Sequence, residues 1–77
     1  MTAEEWIQAL AQQLGVESPA PDQIEAILEL AGTAAHASER VAAPVTAWLA
    51  GTSGRPVSEV NELAKRLAGG PSDQALR

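Results

Sequence analysis

The chain has 77 residues, no cysteine, one histidine and a formal net charge of -5. That length allows one domain, and the missing thiols exclude disulfides, thiolate chemistry and any zinc site built on cysteine. The acidic balance, with a pI near 4.6, repels phosphate backbones and sets nucleic acid aside as a partner.

Thr2 and Glu5 have the spacing of a capping box, and Trp6, Ile7, Leu10 and Leu14 then share one helical face up to a stop at Gly15. Helix one is therefore expected over 3–14. "VESPAPDQ" reads as a linker, with Pro21 in the first turn of helix two, expected over 21–38. Its stripe of Ile24, Ile27, Leu28 and Ala31 shrinks to Ala34 and Ala35, a pattern of close helix approach. Pro44 disfavours continuous helix and opens helix three, 44–50, with Val45, Trp48 and Leu49 on one face and Gly51 as its end. "GTSGRP" is a loop. Helix four, 56–68, carries Val57, Val60, Leu63, Ala64 and Leu67, and Gly69, Gly70 and Pro71 end it. No stretch alternates like a strand. The expected fold is all-α, a small bundle of four short helices, with one domain over 1–70 and a flexible C-terminal tail over 71–77.

The core available to that bundle is thin. Hydrophobic residues make up 45% of the chain, but much of this is alanine, and Trp6 and Trp48 are the only aromatics. A domain this small is marginal on its own, which favours self-association or attachment to a protein partner. No apolar run reaches bilayer length, and "MTAEEW" lacks the basic and apolar regions of a signal peptide. The expected compartment is the cytoplasm.

His36 and Arg40 lie four apart near the end of helix two, where cations meet the negative end of the helix dipole. With Val45 and Thr46 at the start of the next helix they form the candidate anion or partner site. The competing reading is structural: His36 bonds across the corner and Arg40 pairs with Glu39 or solvent. Trp48 is read first as core filler and second as a partner anchor, and Trp6 as either. "GTSGRP" lacks both phosphate-loop patterns and a preceding strand. Glu25 and Glu29 have no second element to complete a di-metal site. No catalytic, cofactor or metal site is expected, and the chain is read as non-enzymatic.

Ile27–Gly51, "ILELAGTAAHASERVAAPVTAWLAG", resembles the core motif of a small family of uncharacterised helical domains. The motif runs from an apolar "LdLA" through an "AH" pair and an arginine before "AAP" to a short helix ending in "LxG". Trp6, Leu28, Leu30, Ala31, His36, Arg40, Ala42, Ala43, Pro44, Leu49 and Gly51 match it. Val41 stands where family members often have a second proline. In that family the domain occurs alone or fused C-terminally to nucleotidyltransferases of molybdopterin-guanine dinucleotide biosynthesis. The resemblance therefore implies an accessory or interaction module associated with molybdenum-cofactor biosynthesis, with such a nucleotidyltransferase as a partner. The alternatives are a small-anion or ligand-binding domain using the His36–Arg40 corner, and an independent homodimeric regulatory protein.

Overall fold

A computed structural model describes residues 1–75, with side-chain surroundings through Gly69. It is all-α: α1 (Ala3–Leu14), α2 (Pro21–Ala37), α3 (Ala42–Ser53) and α4 (Val57–Ala75), with no strand among the described residues. The capping box forms as expected. The Glu5 amide donates to Thr2 Oγ1 at 3.1 Å, and the Thr2 amide donates to Glu5 Oε1 at 2.8 Å. Gly15 closes α1 with φ 72, returning its N–H to the Ala11 and Gln12 carbonyls. Pro21 is the first residue of α2, and the Ala20 amide donates to Gln23 Oε1 at 2.9 Å.

The later boundaries differ from expectation. α3 begins at Ala42, so Pro44 is its third residue. First-turn amides lack intrahelical partners in any case, and the carbonyl that the proline ring would strike, that of Arg40, lies before the helix. Proline is therefore as harmless there as at the first position. α3 runs through Gly51 and stops at Gly54, φ 73, where the Ser53 hydroxyl donates to the Ala50 carbonyl at 2.7 Å and accepts from the Arg55 amide at 3.1 Å. α4 continues past the expected end at 68, through Gly69, Gly70 and Pro71, to Ala75. Glycine costs a helix about 1 kcal/mol and proline about 3, so these residues weaken the last turns of α4 without ending it. The expected tail thus begins as helix, and 76–77 lie outside the described residues.

α2 is the central element. α3 runs back along it: Ile27 and Leu30 lie by Ala50 and Gly51 at one end, and Ala37 by Ala42 at the other. α4 runs parallel to α2. Asn61 Nδ2 donates to the Ala26 carbonyl at 3.0 Å, and one turn on Lys65 Nζ meets Glu29 Oε2 at 2.7 Å. Among the described residues α3 and α4 scarcely touch each other, and α1 packs along none of the three. Only its Ile7 side meets the Ser18–Pro21 linker and Ile24.

Leu30 is the one large side chain fully buried among the described residues; Ala50 and Asn61 are buried on the helices packed against α2, and Ala11 is buried on α1. Much of the expected core faces outward: Trp6, Leu10 and Leu14 on α1, Leu28 on α2, Val45, Trp48 and Leu49 on α3, Leu63 and Leu67 on α4. The reason is visible on α3, whose covered side is Ala43, Ala47 and Ala50. Small residues draw the helix onto α2 and leave no space there for an indole ring. The molecule measures 48 × 22 × 18 Å.

Candidate interaction surface

The four residues expected at the α2–α3 corner lie on the end of α2, the turn after it and the first half of α3. His36, in the last turn of α2, and Arg40, in the turn that follows, are both exposed. Neither side chain has a hydrogen bond or ion pair among the described residues, so Arg40 does not pair with Glu39. The Ala42 and Ala43 amides donate to the Glu39 and Arg40 carbonyls at 2.9 and 3.0 Å, and Pro44 has no N–H to offer. Val45 and Thr46 are the fourth and fifth residues of α3, beyond the turn whose amides would be free. Val45 points outward, whereas Thr46 lines the groove between α3 and α4.

What the corner does present is apolar. Val41, Val45 and Trp48 follow one another at i, i+4 and i+7 on the side of α3 away from α2, and Trp48 is 68% exposed. α3 carries no charged residue anywhere in its sequence. A helix apolar on all sides is normally covered on all sides; here α2 covers one. Tryptophan is among the side chains enriched at the energetic centres of protein interfaces.

Two further apolar faces, both read in the sequence as helical stripes, are open to solvent. Trp6, Leu10 and Leu14 form an outward stripe on α1, with Trp6 59% exposed. Between α3 and α4 an open groove of about 350 Å³ is lined by Leu49, Val60, Leu63 and Leu67, with Arg55 its only charged lining residue. It is continuous, through Thr46, Ala64 and Leu67, with a second cavity of about 390 Å³ that reaches Ser38. Its signal was present as a helical stripe on α4, read as inward because nothing in the sequence showed that α3 and α4 would stand apart.

Polar groups fix the frame around these faces. Glu29 holds the Lys65 ammonium above its usual 10.5, first through their hydrogen bond and then through charge, with Glu62 adding to the effect. Arg55 pairs with Glu59 at 2.7 Å. Asn61 is buried, and its Oδ1 has no hydrogen-bond partner among the described residues. Among the described residues no group of three or more His, Asp or Glu is placed to hold a metal ion, and no helix is long and apolar enough to cross a membrane.

A family model described as Domain of unknown function (DUF6457) matches residues 1–74. The chain belongs to this family. The match includes the whole of α1, so the helix that stands off from the other three is part of the DUF6457 domain and not an added arm. Neither the curated proteins nor the solved structures contain a match.

Proposed function

We propose that this DUF6457 chain is a non-enzymatic cytoplasmic interaction module that holds a partner protein against the Val41–Val45–Trp48 strip of α3. The observation that carries the reading is the charge-free helix α3, covered on one side only. Arg40, exposed and next in sequence to Val41, supplies positive charge at the start of the strip, where charge steers encounter more than it adds affinity. The resemblance of Ile27–Gly51 to the domain fused behind molybdopterin-guanine dinucleotide nucleotidyltransferases supports such a nucleotidyltransferase as the partner.

The test uses a Trp6→Phe variant, in which Trp48 is the only fluorophore, titrated with a purified nucleotidyltransferase of that pathway. A blue shift of Trp48 emission on saturable binding is expected, with affinity reduced about tenfold or more by Val45→Glu, a charge placed in the apolar strip. Absence of binding at tens of micromolar would reject the nucleotidyltransferase as partner. Binding that left Trp48 emission and the Val45→Glu affinity unchanged would reject the strip.

A further inference from the structure

We infer that the open groove between α3 and α4 is filled by α1 of a second copy of this chain, so that two molecules exchange their first helices. The inference rests on the interaction-module reading but assigns a different surface and a different occupant.

Area gives the first argument. A compact monomer of 8.0 kDa exposes about 4,450 Å², whereas this one exposes 5948 Å². The excess, about 1,500 Å² per molecule, falls in the range that each partner contributes to an obligate homodimer, roughly 1,000–2,500 Å². The radius of gyration agrees: 14.3 Å against about 11.5 Å for a compact chain of this length.

Shape is the second argument. α2, α3 and α4 are three helices of a bundle whose fourth seat, between α3 and α4, is vacant. α1 is an amphipathic helix with no helix to pack along. Its 12 residues extend about 18 Å, the same length as the 57–68 part of α4 that walls the groove. Trp6, Leu10 and Leu14 on α1 then meet Leu49, Leu63 and Leu67 in the groove. All six are exposed within one molecule.

Charge is the third and sets direction. Residues 1–17 contain Glu4, Glu5 and Glu17 and no basic side chain. Among the described residues the groove lining holds Arg55, which is paired with Glu59 at 2.7 Å, and no carboxylate, whereas Arg66, beside Leu67, has no ion pair. With α1 antiparallel to α4, Glu4 approaches Arg66. Glu17 and the negative end of the α1 dipole approach the Arg55–Glu59 pair, so the preference for this direction rests on Glu4 and Arg66. Reciprocal exchange closes the pair with twofold symmetry and leaves no open end.

Sedimentation equilibrium on the full chain and three surface variants tests this. The wild type is expected at twice 8.0 kDa. Leu10→Arg and Leu67→Arg each weaken the dimer about tenfold or more by setting an unpaired charge in the seam, and Trp48→Arg leaves it intact. Mixing the Leu10→Arg and Leu67→Arg chains restores association in part, because one intact α1 then faces one intact groove. A wild type that stays at 8.0 kDa overturns the inference, as does a mixture that associates no better than either variant alone. A dimer broken by Trp48→Arg alone overturns it too. A monomer that still binds the nucleotidyltransferase overturns only this inference. A dimer that binds none overturns only the nucleotidyltransferase reading.

Discussion

Gly51 and Gly54 both stand in open space, yet a methyl group at each is expected to act in opposite directions. Gly51 lies inside α3, where glycine is less favourable than alanine, so Gly51→Ala is expected to stabilise by about 0.5–1 kcal/mol. Gly54 has φ 73, and Gly54→Ala is expected to destabilise by about 1–2 kcal/mol through backbone strain alone. Urea unfolding of both variants at one protein concentration checks the pair. Two changes of the same sign would mean that α3 ends at Gly51 after all. Asn61 gives a second test. Its amide binds the Ala26 carbonyl inside the α2–α4 contact, and Asn61→Asp replaces that donor with a buried carboxylate, at a cost of about 3–5 kcal/mol near neutral pH. Burial raises a carboxyl above its unfolded value. The penalty is therefore absent below the unfolded value, about 3.9, grows as pH rises from there to the folded value, and is constant above it. A penalty independent of pH between 3 and 7 would contradict this account of Asn61. The residue-scale signals that depend only on local backbone chemistry were legible in the sequence. Thr2 with Glu5, Gly15 and Pro21 each act within one turn of helix. Gly51 misled because glycine satisfies a stop without requiring one, while Pro56, two residues past Gly54, is the signal that marks the actual end.

The lesson changes at the scale of a helix. Periodicity locates an apolar stripe but gives it no direction when the opposite side is apolar too. On α3 the Val45–Trp48–Leu49 stripe and the Ala43–Ala47–Ala50 stripe both fit one face, and the smaller residues won because they let the axes approach. The two missed ligaments between α2 and α4, Asn61–Ala26 and Lys65–Glu29, join residues far apart in sequence, so no local pattern announces them. The ion pair makes its own prediction. Lys65 titrates above its usual value because of Glu29. Its contribution is therefore present below the free-lysine value and lost as pH rises through the higher folded one. Glu29→Gln is expected to lower the urea midpoint slightly at neutral pH. The difference should vanish at strongly alkaline pH and at about 1 M salt, where the Debye length is near 3 Å. A difference that persisted undiminished in both conditions would assign the effect to packing.

At the scale of the whole molecule, one fully buried leucine and three short packed helices are a small interior for 77 residues. The four helices could be read from the sequence. That the first would stand apart from its own chain could not, because the groove it fits depends on how far α3 and α4 diverge around α2. If a second copy completes the bundle, folding and association are coupled and the thermal midpoint must rise with protein concentration. A midpoint that is constant over a hundredfold dilution would speak against the coupling. The most direct measurement is amide hydrogen exchange along α1 in the full-length wild type at several concentrations. A free helix of 12 residues is marginal in water, so α1 seated on a second copy is expected to show protection that climbs with concentration and approaches that of α2. If the α1 amides exchange at the rate of an isolated helix at every concentration, nothing covers that face and the exchange of first helices is refuted.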